Sequence, residues 1–145
     1  MLIVQKGQVQ IKIGKVLKIK LSFKIIHLKN RNMSNFPLFD SLNKDLPKKD
    51  LTINEKEEFI SKIQDIDNTG RDLVYALIQV YSISEENKNN FDELPYKGIK
   101  EERTKGVQDL TWTFTDLPIK LRHILYKFIK IHTQSVEEDQ ALRKN

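Results

Sequence analysis

The side chains that could do covalent chemistry do not gather into a recognisable site. The three histidines are His27, His123 and His132. His123 and His132 lie nine positions apart, so they do not share a helical turn, and no metal-ligand spacing exists. There is no cysteine, which excludes disulfides and thiolate metal sites and fits an intracellular, reducing compartment. Glu55, Glu57 and Glu58 open a predicted helix and read as charges that complement its dipole, not as a catalytic carboxylate pair. Gly98 and Gly106 are isolated, so no phosphate-cradling loop is built. No nucleophile is paired with a base or an oxyanion hole. The expectation is a protein without enzymatic activity, cofactor or metal. What remains is recognition. Within Leu110–Thr115, Leu110, Trp112 and Phe114 alternate with Thr111, Thr113 and Thr115, which puts three large side chains on one face of a strand. A strand this short is not stable alone. It must pair with something, and the function is sought in that partner.

The elements that must position this strand are helical. Asp116-Leu117-Pro118 reads as a helix start directly after it, and a helix is predicted from about Pro118 to His132, with Leu117, Leu121, Ile124, Leu125 and Phe128 inward. A first helix is predicted over about Ile53–Ile66. Thr52 and Glu55 form its capping box, and Phe59, Ile60, Ile63 and Ile66 its apolar face. Asp67-Asn68-Thr69-Gly70 reads as a turn. A second helix follows over about Arg71–Tyr81, with Leu73, Val74, Leu77, Ile78 and Tyr81 inward and Thr69 and Asp72 as its capping pair. Ser82 to Gln108 reads as a long polar connection, solvated and mobile around Glu85–Asn90. Inside it, Leu94–Ile99 is a second extended piece, with Pro95 suiting an edge strand and Gly106 permitting a turn.

Length bounds the chain to one domain: 145 residues support a single core. The net charge of +5 is unevenly distributed. Residues 1–32 hold eight basic residues and no acid, which leaves 17 basic and 20 acidic residues in the remainder. The chain is a mildly acidic body with a basic leader, and any inference of nucleic-acid binding from its pI rests on that leader. No apolar run is long enough for a membrane span. Lysines interrupt the leader where a signal peptide needs an uncharged core. The domain organisation expected is a basic leader at 1–32, an arm at 33–50 that packs loosely and whose Pro37 and Pro47 forbid one continuous helix, a folded body at 51–132, and a frayed charged tail at 133–145. Met33-Ser34-Asn35 reads as a natural start, in which case residues 1–32 are not part of the native protein. The leader also has a pattern of its own. Leu17, Ile19, Leu21, Phe23 and Ile25 alternate with Lys18, Lys20, Ser22 and Lys24, as in a strand with one apolar and one cationic face.

The order helix, helix, short strand, helix, with NEKEEFISKI at the first helix, DLVYALIQVY at the second and TFTDLPIKLRHILYKFIKIH at the end, resembles the extra-terminal (NET) domain of the bromodomain and extra-terminal family. The closer likeness is to the stand-alone NET-like proteins of large DNA viruses, and it covers about Leu51–His132. The resemblance implies a mainly α fold: three helices with a small two-stranded β-hairpin before the last helix. It also implies a non-enzymatic protein-interaction module. Its partners are peptide motifs of chromatin or transcription regulators, in the nucleus or a viral replication compartment. Such a peptide, lysines alternating with apolar residues, adds a strand beside the segment before the last helix, here Leu110–Phe114. Backbone hydrogen bonds supply affinity, and alternate side-chain pockets supply selectivity.

On that reading the peptide-binding residues are Asp109, Leu110, Thr111, Trp112, Thr113, Phe114, Asp116, Leu117 and Leu121, with Tyr81 from the second helix. Trp112 serves as groove anchor or as cover for the helices; Phe114, Leu117 and Leu121 are core first and contact second. The chain departs from the family where acids alternate with apolar residues: Thr111, Thr113 and Thr115 stand there instead, and acidity survives only nearby, at Asp109 and Asp116 among others. Three partners for the strand follow: the Leu94–Ile99 piece, an outside peptide, or the chain's own Leu17–Ile25 folded back as an internal pseudo-ligand. The alternative function is a small nucleic-acid-binding protein using the leader and the basic face of the last helix, around Lys120, Arg122, Lys127 and Lys130. A third is a structural subunit that makes contact through the apolar arm Phe36–Leu46.

Overall fold

The computed structural model describes residues 17–24, 36–86, 94–104 and 106–143, with the side chains of Phe23 and Lys24 outside that description. In chain order the elements are β1 (Lys18–Lys24), α1 (Pro37–Leu42), α2 (Ile53–Gln64), α3 (Asn68–Glu86), β2 (Ile99–Thr104), β3 (Val107–Thr113), a single 3₁₀ turn (Phe114–Asp116) and α4 (Ile119–Arg143). The mainly helical expectation holds. The described residues hold four helices and a three-stranded antiparallel sheet, in the order β1-β3-β2: three helices and the β2–β3 hairpin start within 51–132, and α1 and β1 are added to them from outside that body.

The helices start where local chemistry lets them. Thr52 accepts from the Glu55 amide at 3.1 Å while Glu55 accepts from the Thr52 amide at 2.9 Å, the expected reciprocal cap. For α3 the cap is Asp67, not Thr69 with Asp72: its Oδ1 accepts from the Gly70 amide at 2.8 Å. The predicted turn at 67–70 is thereby absorbed into the first turn of a helix that runs on to Glu86. Asp67 also meets His132 Nε2 at 2.8 Å, which ties this cap to α4. The arm contains the short α1, where Pro37 occupies the first turn, the position in which a missing N–H costs nothing. Phe39 and Leu42 are buried, so this part of the arm is core.

The tail is also a correction. The last helix continues to Arg143 instead of fraying after His132. Nothing in 133–143 breaks a helix, and Gln134–Glu138 and Asp139–Arg143 add side-chain pairs four apart. Leu94–Ile99 is not a strand. Gly98 N donates to Pro95 O at 3.1 Å across Tyr96 and Lys97, both with positive φ (55° and 59°). This is the geometry of a type I′ turn made without glycine at either central position. The hairpin strand begins after it, at Ile99, and Gly106 (φ 83°) turns it into β3 as expected. The expectations for residues 1–16, 25–35 and 87–93 lie outside the described residues.

One core joins sheet and helices. Ile19, Leu21, Leu110 and Trp112 form the sheet's inner face, all fully buried, against Phe59, Ile63, Val74, Leu77, Ile78, Ile124, Leu125 and Phe128 of the helices.

Candidate functional site

β3 is the centre of the sheet, and both of its edges are occupied. On one side it pairs with β2 in the register Ile99↔Thr111, Lys100↔Leu110, Glu101↔Asp109. On the other it pairs with β1: Lys18↔Thr113, Ile19↔Trp112, Lys20↔Thr111, Leu21↔Leu110, Ser22↔Asp109. Phe114 N donates to Leu17 O at 2.8 Å and carries the ladder one step further. Of the three partners expected for this strand, the chain's own leader is present; the hairpin partner is Ile99–Thr104, which shares only Ile99 with the expected Leu94–Ile99 piece.

The predicted site residues divide by face. Leu110 and Trp112 point inward. Trp112 is enclosed on every side by its own chain, and its Nε1 donates to Pro95 O at 2.9 Å. Gly98 lies so close that a Cβ there would stand 2.6 Å from Trp112 Nε1. Phe114 is buried against Phe59, ring centroids 5.4 Å apart, with the Arg122 guanidinium 5.6 Å from its own ring. Leu117 and Leu121 are core. Tyr81 is buried between Phe39 and Tyr96, each ring 6.4 Å away. Asp116 is exposed on the 3₁₀ turn and stands apart from the strand face. Thr111 and Thr113 are half-buried on the outward face.

Asp109 shares that outward face yet is only 5% exposed. Ser22 Oγ donates to its Oδ1 at 2.6 Å, while Lys20 Nζ and Arg103 Nε stand 3.5 and 3.4 Å from its Oδ2. The Ser22 hydrogen bond, helped by these two cations, outweighs burial and holds the carboxyl below the ordinary carboxylate range. Ser22, Lys20 and Arg103 were not among the expected site residues. The signal for Ser22 was present, as the single interruption in a row of alternate lysines.

A second cluster fixes the turn from β3 into α4. Arg122 Nε donates to Leu117 O, Nη2 to Thr115 O and Nη1 to Asp50 Oδ2, each at 2.8 Å. Burial of Asp50 opposes ionisation, but hydrogen bonds from Lys56 and Arg122 and from the Leu51 amide override it and lower its pKa.

The basic face of the last helix is engaged within the chain. Lys120 pairs with Glu85 at 2.8 Å, Lys127 donates to Lys44 O at 3.1 Å, and Lys130 sits 5.2 Å from the Tyr126 ring centroid. Among the described residues no cluster of His, Asp and Glu could hold a metal, and no helix is long and apolar enough to cross a membrane.

Comparison with protein-family models, with curated proteins and with solved structures finds no match for this chain. The likeness to NET domains therefore rests on the residues quoted for it, and its functional content is a proposal.

Proposed function

We propose that this chain is a non-enzymatic interaction module that takes extended peptide segments of chromatin or transcription proteins by strand addition along β3. One observation carries the reading. The edge that the NET resemblance assigns to a peptide is filled by a segment of alternating lysine and apolar residues, the composition the same resemblance assigns to the ligand. Ile19 and Leu21 of that segment are fully buried while Lys18 and Lys20 face outward. β1 is thus an internal pseudo-ligand, and a partner must displace it or act when it is withdrawn.

Magnitudes make displacement feasible. Burying Ile19 and Leu21 contributes about 1.5–3 kcal/mol each. The backbone ladder adds ~0.5–1.5 kcal/mol per hydrogen bond net. Ordering the strand costs ~1–2 kcal/mol per residue. These terms are of one size, so β1 is held by a small margin that its tether raises, at an effective concentration on the order of millimolar.

The test uses a synthetic Leu17–Ile25 peptide titrated against the full chain and against the full chain carrying Ile19→Asp and Leu21→Asp, which expels β1. Amide resonances of 110–114 are expected to shift in the released chain, and the intact chain to bind at least about tenfold more weakly. A released chain that stays folded and shows no shift at 110–114 rules the reading out.

A further inference from the structure

The inner face of the sheet does not determine how β1 is aligned. Side chains alternate with a period of two, so sliding β1 by two residues keeps every inward position apolar: Leu17 and Ile19 would take the places of Ile19 and Leu21. Only the outward face distinguishes the two registers. On β3 that row is Val107, Asp109, Thr111 and Thr113, with one charged member. On β1 the alternate positions are Lys18, Lys20, Ser22 and Lys24, with one member that is not lysine. The two exceptions stand opposite each other in the ladder and meet at 2.6 Å.

The chemistry of Asp109 explains why they meet. Its side chain is only 7% exposed, and its cations approach no closer than 3.4 Å. A buried carboxylate needs short hydrogen bonds as well as nearby charge. A serine hydroxyl directly opposite reaches it from a short stem, and Lys20, displaced by two positions, neutralises from the rim, where its side chain is 62% exposed.

We infer that Asp109 sets the register and the sequence preference of the β3 edge: a segment seated there carries a hydroxyl residue opposite Asp109 and a lysine two residues before it, in the pattern apolar-Lys-apolar-Ser. The register statement stands on the chain's own strand. Its extension to outside peptides rests on the strand-capture reading above.

The test has two arms. In the full chain, cross-strand proton contacts read the register directly: Ser22 with Asp109 and Lys20 with Thr111 in the observed alignment, Lys20 with Asp109 and Lys18 with Thr111 after a two-residue slip. Wild type is expected to show the first set alone. Asp109→Asn and Ser22→Ala are each expected to populate the slipped set at roughly a tenth of molecules or more, from the loss of a charge-assisted hydrogen bond. Ser22→Ala removes one hydroxyl, so it decides the matter if Asp109→Asn does not fold. A single native register in Ser22→Ala overturns the inference. In the second arm, the chain released by Ile19→Asp and Leu21→Asp is offered the Leu17–Ile25 peptide with serine or with alanine at position 22. The serine peptide is expected to bind about tenfold tighter. Equal binding overturns the sequence preference. If neither peptide binds, strand capture fails and the preference for outside ligands fails with it, while the register result is judged by the first arm.

Discussion

Ser22 and Asp109 meet at 2.6 Å across 87 positions of chain, on the face of the sheet opposite the buried Ile19, Leu21, Leu110 and Trp112. The contact joins the basic leader to the mildly acidic body through a buried carboxylate. Part of the leader's positive charge is thereby engaged by the body: Lys20, with Arg103 of β2, flanks that same carboxylate from the exposed rim.

Acid should loosen this junction. Asp109, Asp50 and Asp67 all have folded-state pKa values below the ordinary carboxylate range. A depressed carboxyl contributes stability that is fully present above its unfolded value, about 4, and is lost as pH falls through the folded value. Thermal melts should thus be flat in this respect from neutral pH down to about 5 and drop below about pH 4. Asp109→Asn should lower stability at pH 7 and reduce its fall between pH 5 and 3. An unchanged acid slope in that variant would remove Asp109 from the account.

Trp112 is the only tryptophan, so its emission reports one place. Gly98 leaves no room beside it: a Cβ would stand 2.6 Å from Nε1 and 2.8 Å from Leu94 Cβ. Gly98→Ala should cost about 1–3 kcal/mol in urea unfolding and shift the native emission to the red as the 95–98 turn lifts from the ring. Native-like emission together with wild-type stability would show that the turn can yield.

The same turn holds Lys97 at φ 59°, a conformation that disfavours any residue with a Cβ. Lys97→Gly should stabilise the protein by ~0.5–1 kcal/mol, unlike most glycine substitutions, with the Trp112 emission unchanged. A destabilised variant would mean that the lysine side chain contributes more than its backbone costs.

Arg122 closes the passage from β3 to α4 with donations to Leu117 O, Thr115 O and Asp50. Arg122→Ala leaves two carbonyls and a partly buried carboxylate short of partners and should cost about 2–4 kcal/mol. Arg122→Lys keeps the charge but not the three-way fork, and should recover less than half of that loss in chemical denaturation.

The parts of this fold legible beforehand are those encoded locally. The Thr52–Glu55 box and the spacing of Phe59, Ile60 and Ile63 define α2 within one stretch, and the Leu110-Trp112 alternation marks β3, although the strand runs over Val107–Thr113 and Phe114 and Thr115 fall in the 3₁₀ turn. The Leu17–Ile25 alternation was equally visible, but alternation alone does not name a partner, and pairing Ile19 with Trp112 is a non-local choice among several edges. Asp67 was hidden as a cap because glycine three residues later looked like a turn. Asp109 reads in the sequence as one of the peptide-binding residues, with nothing to mark it as buried. Its burial depends on Ser22, Lys20 and Arg103 arriving from two other strands, which no window around residue 109 contains.

The two readings of the leader can be separated by what β3 loses without it. A chain beginning at Met33 lacks Ile19 and Leu21, whose burial contributes ~1.5–3 kcal/mol each, and it lacks Ser22 and Lys20 beside Asp109. Its Leu110 and Trp112 would then border an open edge with unpaired backbone groups, the condition in which strands seek partners. The urea midpoint should fall relative to the full chain, the Trp112 emission should redden, and added Leu17–Ile25 peptide should reverse both. Coincident unfolding curves for the two chains would show that β1 adds nothing to the body, and that the β3 edge is stable unoccupied.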